Sequence, residues 1–410
     1  DIQPSIDYED VFFPSFHLQT ILEEYGKSLG TFPISNDKVK PFLLKLSEDS
    51  LNAEITHALD SSQKFLVRVE ETVETQKLER FDALDSFLAG LEDTKNLEPQ
   101  KPQQLLQELS NLVRTPLQLN PRQLQELMEG SNDIENEIRN QIEKFLLSLN
   151  ISRAVGTFAV RFNNLDVKAG DFQGKNWDDS VDILLDAVDD AFAKQKNALL
   201  GEQGQLSIDI DNWLRQIDSD TIDRDNFFRL MISLVQGSRL AFDRKTHRQV
   251  KQRYNRLNYI FLAAHALQAQ DKAQIFQSVL EHLQDALNAL QSVWGIYELN
   301  RLQQNQVSLS NLDEKNRDLI VKEIGQDKFE VLKEKIIPEF DSDERILLRD
   351  ILGKRIRNEI YRELLLSIIS QMWVEYLTKV EALRVSIGLE AYGQRDPLVQ
   401  YKSKASELFK

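Results

Sequence analysis

Residues 387–409 read IGLEAYGQRDPLVQYKSKASELF, a loop rich in glycine and tyrosine set between two apolar stripes of helical period. Before it, Leu366, Ile369, Trp373, Tyr376, Val380, Leu383 and Ile387 recur at alternating steps of three and four. That spacing is the seam of a helix packed on another helix. After it, Leu398, Tyr401, Ala405 and Leu408 repeat the same steps. Asp396 followed by Pro397 marks a helix start, because the carboxylate accepts from orphan amides and proline is tolerated at the first helical position. The stretch therefore predicts an antiparallel helical hairpin. Gly388 and Gly393 bracket its tip, where Leu389, Tyr392 and Arg395 exceed what a two-helix core can bury.

Working outward, the 410 residues suffice for two or three domains with a large core. Only 15 Gly and 10 Pro punctuate them, which favours an all-α, elongated protein. The absence of Cys excludes disulfides, thiolate metal sites and cysteine nucleophiles, and fits a reducing compartment. A net charge of −16 opposes broad nonspecific binding to nucleic acid or to an anionic bilayer. No apolar run approaches the ~20 residues of a membrane span, and no charged-then-apolar leader opens the chain.

Four closely spaced prolines, Pro4, Pro14, Pro33 and Pro41, argue against long helices before residue 45. Helical patterns follow over 50–90 and 123–149, with breaks at Pro99, Pro102, Pro116 and Pro121. In residues 151–175, Phe158, Val160 and Phe162 alternate, so a small β element is placed near 156–170. An amphipathic helix starts at Asp178 and Asp179, carries Val181, Leu184, Leu185, Val188, Phe192 and Leu199 at helical spacing, and stops at Gly201. Residues 224–294 read as helix, interrupted at Gly237 and near Gln270.

The hairpin resembles the two-helix finger of the SecA family, motors of bacterial preprotein translocation. Trp373, Glu375 and Leu377 keep a W-[KR]-E-H-L pattern. Leu383, Arg384, Ile387, Gly388, Leu389, Ala391, Tyr392, Gly393, Gln394, Arg395, Asp396, Pro397, Leu398, Tyr401 and Lys402 keep an L-R-x-x-[IV]-G-L-R-[GA]-Y-[GA]-Q-[RK]-D-P-L-x-E-Y-K pattern. Departures are Val374, Tyr376, Glu390 and Gln400, and Glu390 reverses a family charge beside the tip tyrosine. The resemblance is strong over residues 363–409. Phe242, Asp243, Gln249 and Tyr254 also fit the skeleton of the family's long scaffold helix, while Trp177 to Leu200 resembles its wing helices and offers a competing register. The resulting division is an N-terminal helical region at 1–150, a wing-like mixed segment at 151–223, scaffold helices at 224–345 and the finger at 346–410.

The resemblance implies a tip, Tyr392 with Leu389, Gln394 and Arg395, that contacts unfolded preprotein at the mouth of a SecY-type channel. Trp373, Gly388, Gly393, Asp396 and Pro397 would build the finger. It also implies a cytoplasmic protein, peripheral to the inner face of the cell membrane. The chain opens on Asp1 and ends at Lys410, inside what in the family is a continuing helix, and so reads as a fragment or processed form. A rival reading is a helical interaction or assembly protein that lost the motor and kept the finger as a partner-binding hairpin.

No catalytic set emerges. Gly26-Lys27-Ser28 is the only trace of a phosphate loop, and the earlier glycine that lets amides turn around phosphate is Ile21. ATP and magnesium would therefore act only through motor domains carried elsewhere in a longer polypeptide. An EF-hand loop starting at Asp218 fails at its sixth and twelfth positions, Asp223 and Arg229. The five histidines show no zinc-site spacing. Arg244, Arg248 and Lys251 would share a face if helical. They read either as a solvated face paired with acids or as a docking face for acidic loops, a membrane surface or RNA; for the chain as a whole, nucleic acid is disfavoured by charge.

Overall fold

The computed structural model describes residues 2–94, 101–129, 131–162, 165–217, 219–243, 248–387 and 396–409. Two compact units are formed, one by His17–Gln270 and one by residues 1–16 with 271–410. Helices dominate both, and the described strands form only two-stranded antiparallel ladders.

In chain order the elements are β1 (Ile6–Tyr8), β2 (Val11–Phe13), α1 (Phe16–Tyr25), β3 (Ile34–Ser35), α2 (Asn36–Thr94), α3 (Pro102–Leu112), α4 (Pro121–Glu129), α5 (Asn132–Arg161), α6 (Trp177–Leu200) and α7 (Gln205–Gln216). They continue with β4 (Thr221–Ile222), α8 (Arg224–Val235), β5 (Gln236–Asp243), β6 (Arg248–Asn255), α9 (Ile260–Gln268), α10 (Lys272–Gln304), α11 (Glu314–Ile324), α12 (Gln326–Leu332), α13 (Ser342–Ser386) and α14 (Pro397–Phe409).

The spine of the first unit is α2. Val39, Leu43, Leu46, Leu51, Ala58 and Leu66 bury one long stripe of it. Pro41 lies inside the helix, contrary to the expectation that the early prolines keep helices short. It sits near the start, where the missing N–H removes a single helical bond. Two apolar clusters form along this spine. Ala58 and Leu66 pack with Ile151, Ala154 and Phe158 of α5 and with Leu184, Val188 and Phe192 of α6. Leu84 packs with Leu105 and Leu109 of α3, Leu127 of α4, and Ile138 and Ile142 of α5. Ion pairs link α2 to its neighbours, Lys40 to Asp211 at 2.6 Å and Lys196 to Glu48 at 2.8 Å.

Two expectations fail in this unit. Residues 156–161 belong to α5, not to a strand. Ile151, Ala154 and Phe158 face the core at steps of three and four, whereas Val160 is 91 % exposed. The alternation of Phe158, Val160 and Phe162 was a chance overlap of the two periods. The small β elements lie elsewhere: β1–β2, β3–β4 and β5–β6. The second failure is the helix expected through residues 236–255, which is the β5–β6 hairpin, in register from Gln236↔Asn255 to Asp243↔Arg248. Phe242, Asp243, Gln249 and Tyr254 therefore stand on strands and cannot form a scaffold-helix skeleton. Gly237 permits the pairing, because a Cβ there would lie 2.9 Å from the Tyr254 ring.

In the second unit, β1–β2 packs on α10. The rings of Phe13 and Phe16 lie 4.9 and 5.2 Å from that of His282, which hydrogen-bonds Gln3 at 3.1 Å. The core gathers Leu299 and Leu302 of α10, Ile320 of α11, Phe329 and Leu332 of α12, and Leu348, Ile351 and Leu352 of α13.

Candidate functional site

α13 begins at a capping box that its sequence encodes. The Asp341 carboxylate accepts from the Glu344 amide at 2.7 Å, and Glu344 accepts from the Asp341 amide at 3.0 Å. Each bond satisfies an orphan group of the first turn. The base of the helix then crosses α10 at very short range. A Cβ on Gly353 would lie 2.2 Å from the Gln291 carbonyl oxygen, and one on Gly295 would lie 2.1 Å from the Arg349 carbonyl oxygen. The two glycines thus let backbone meet backbone, one helical turn apart on antiparallel helices. Beside them Glu298, 5 % exposed, accepts from Arg301 at 2.6 Å and from Arg355 at 3.3 Å. A buried carboxylate of this kind is tolerated because it is paired, and losing both guanidinium partners would leave its charge uncompensated.

Beyond Gly353 the helix leaves its core. Every residue from 361 to 375 is exposed. Leu364, Leu365, Leu366, Ile368, Ile369, Met372, Trp373 and Val374 are among them, all around the helix. A helix apolar on all sides normally lies inside a protein. The inner half of the expected seam, Leu366, Ile369 and Trp373, is thus bare. The outer half is covered in part: Tyr376, Val380, Leu383 and Ile387 are half-buried, as are Tyr401, Lys404 and Ala405 of α14, which packs on α13. The Tyr376 ring meets that of Phe409 edge-on at 5.3 Å and that of Trp373 at 5.4 Å.

α14 starts at Pro397, and the Asp396 carboxylate accepts from the Leu398 amide at 2.9 Å. Glu375 and Lys379 pair at 2.7 Å one turn apart, and this hydrogen bond holds the Glu375 carboxyl below the usual carboxylate range. Of the finger residues, Trp373, Asp396 and Pro397 are placed. Gly388, Leu389, Tyr392, Gly393, Gln394 and Arg395 lie outside the described residues, and so does Arg244.

The expected basic face is corrected by the strand assignment. Arg248 and Lys251 are three apart on β6, which puts them on opposite faces of a ribbon. Sequence reasoning also missed the crossing of Gly295, Gly353, Glu298 and Arg355. An isolated glycine inside a helical pattern was the available signal, since it costs about 1 kcal/mol against alanine and usually marks close packing.

The family model described as SecA Wing and Scaffold domain matches residues 44–410. Relatives named protein translocase subunit SecA match over short stretches. That of Deinococcus deserti is 43 % identical over 61 residues, 15 % of this chain and 7 % of the relative. That of Heliobacterium modesticaldum is 39 % identical over 88 residues, 21 % of this chain and 10 % of the relative. That of Pelotomaculum thermopropionicum is 45 % identical over 58 residues, 14 % of this chain and 6 % of the relative. The matched stretches span a tenth or less of these relatives' length, and no solved structure matches the chain. With most of its length matched by that model, and with an anchored long helix folding back into a shorter one, the chain belongs to the SecA wing and scaffold family.

Proposed function

We propose that this chain supplies the scaffold and finger of a protein-translocation machine, and that the α13–α14 hairpin is a lever whose tip touches an unfolded preprotein at a SecY-type channel. The observation that supports the reading is mechanical. α13 is one uninterrupted helix of 45 residues, about 67 Å long at 1.5 Å per residue. Its base is fixed by the glycine crossing and the Glu298 ion pairs, and its far end carries α14 folded back. A rigid-body tilt at the base would move the far end through a larger arc.

The tip residues in this reading are Tyr392, Leu389, Gln394 and Arg395. An aromatic ring with a hydroxyl contacts many peptide sequences through area and one hydrogen bond, without selecting a particular side chain. Motion would be driven by ATP and magnesium in motor domains outside residues 1–410, and the site of action would be the inner face of the cell membrane. The test is photo-crosslinking from position 392 to a stalled secretory chain in membranes. Crosslinks well above those from a buried control such as position 351 support the lever, and equal yields from the two positions refute it.

A second reading draws on the bare apolar stretch from Leu364 to Leu377. In a helical assembly protein without a motor, that stretch would be the interface for a partner. Probes at positions 365 and 369 would then crosslink to one folded protein while position 392 stays silent.

A further inference from the structure

We propose that a cavity of the first unit, with Glu54 of α2 at one end and Arg161 of α5 at the other, binds a zwitterionic peptide of two or three residues by its free termini. The cavity measures about 230 Å³ and is walled by residues of α2, α5, α6, β6 and α9. Along the α2 wall Glu54 is followed by His57, Ala58 and then Ser61, whose hydroxyl accepts from the Arg161 guanidinium. The other walls are aromatic. The Phe162 and Phe192 rings meet edge-on at 6.1 Å, and His57 stacks on Phe261 at 4.6 Å.

The two charges share the cavity without meeting. Among the described residues neither Glu54 nor Arg161 has an ion-pair partner, whereas half-buried acids such as Asp209, Asp211 and Glu344 are each tied to a cation. Burial pushes the Glu54 carboxyl above the usual carboxylate range, and no cation offsets that push. Arg161 lies over the Phe162 ring at 5.1 Å, and its hydrogen-bond partner is a neutral hydroxyl. Each end therefore lacks a counter-charge.

This arrangement selects the ligand. A lone cation drawn to Glu54 and the rings would meet Arg161, which already covers Phe162. A lone anion drawn to Arg161 would meet Glu54. Only a molecule carrying both an ammonium and a carboxylate satisfies the two ends. Seven helical residues separate Glu54 from Ser61, about 10 Å, and helical side chains lean toward the N-terminus, which carries the Glu54 carboxylate further from Arg161. On a free amino acid the two charges sit on one carbon, too close together to serve both ends. Extended chain adds about 3.5 Å per residue, so a dipeptide or tripeptide reaches across with a charge-assisted bond at each end. The cavity is smaller than the roughly 300–1,000 Å³ of drug-sized sites, which suits a ligand of this length. Gln195 donates to the Arg256 carbonyl at 3.0 Å, leaving its oxygen as an acceptor for the ligand's peptide N–H.

Isothermal titration calorimetry of the full chain at pH 7 with Leu-Leu, N-acetyl-Leu-Leu, Leu-Leu amide and free leucine tests this. Leu-Leu should bind saturably with a Kd below about 1 mM, and blocking either terminus should weaken binding about tenfold or more. Glu54→Gln should erase the preference for the free amino terminus alone, and Arg161→Gln the preference for the free carboxylate alone. Arg161→Lys should keep both. Circular dichroism checks that the variants fold, and the blocked ligands test the parent chain whatever the variants do. No binding of Leu-Leu at 10 mM, blocked dipeptides or free leucine that bind as tightly as Leu-Leu, or folded variants that lose both preferences together would each overturn the proposal.

Discussion

Replacing Gly353 or Gly295 by alanine separates two opposing expectations. Helix propensity alone predicts a gain of about 1 kcal/mol for each, since glycine is the poorer helix former. The crossing predicts a loss. A Cβ on Gly353 starts 2.2 Å from the Gln291 carbonyl oxygen, and a carbon–oxygen contact relaxes only near 3.3 Å, so α10 and α13 must part by about 1 Å. A gap of that size forfeits about a quarter to a half of each dispersion contact across the crossing. For Leu299, Leu302, Leu348 and Leu352, buried near it, this amounts to about 3 kcal/mol, within the range for overpacked cores. Subtracting the propensity gain leaves about 2 kcal/mol of destabilisation for either single change. The same displacement relieves both clashes while the propensity gain counts twice, so the double variant should lose only about 1 kcal/mol, well short of the sum of the singles. Urea unfolding followed by 19F NMR of a fluorotryptophan-labelled chain reads the effect at Trp294, beside Gly295. Single variants as stable as the parent or more so, or singles that add without coupling, would refute the close crossing.

Two other consequences follow from buried polar groups. Arg256→Ala removes the partner of Asp209 and the donor to the Leu234 carbonyl; with Asp209 in partial contact with water, the expected loss is about 2 to 3 kcal/mol, measured as a fall in the urea midpoint at unchanged slope. His282, 4 % exposed beneath Phe13 and Phe16, has its pKa lowered by burial against a smaller opposing effect of Asp285. The folded state therefore favours the neutral ring, so its contribution is intact above the unfolded pKa of about 6.5 and declines as pH falls from there toward the folded pKa. Thermal unfolding between pH 7.5 and 5 should show this decline, and His282→Gln should make it shallower, the remainder belonging to His17, whose pKa burial lowers to about 4; an unchanged pH profile in that variant would assign the effect elsewhere.

How far the sequence discloses this molecule depends on the range of the interaction involved. The start of α14 was legible because its cues are local: a proline after an aspartate and apolar residues at steps of three and four. α6 was legible for the same reason. The β5–β6 hairpin was not, because RQVKQRYN at 248–255 holds good helix formers and its strand state depends on pairing with residues up to 19 positions away. α5 misled in the opposite sense, since three residues from 158 to 162 satisfied a period of two by chance while burial over the whole helix obeyed 3.6. The crossing at Gly295 and Gly353 joins positions 58 apart, and no window of sequence contains both. Charge shows the same limit. Arg256 follows Arg248, Lys251 and Arg253 in one run of basic sequence, yet the fold buries it and leaves the other three in solvent.

The bare shaft of α13 and its rigid base belong together. A helix that buried Leu364 to Val374 against its own unit could not also extend from it, because the contacts that cover those residues would fix the far end in place. In the proposed lever, leaving them open would transfer the covering role to another protein and make the position of the shaft depend on what binds it. The base answers the complementary need. Glycine-on-glycine packing with a paired buried carboxylate admits few alternative geometries, since one displacement of about 1 Å breaks dispersion contacts and strains the Arg355–Glu298 pair together. In the proposed lever, a covering partner that shifted the shaft would meet resistance at a single place, and its force would travel along the helix to α14 instead of being lost in bending between the two.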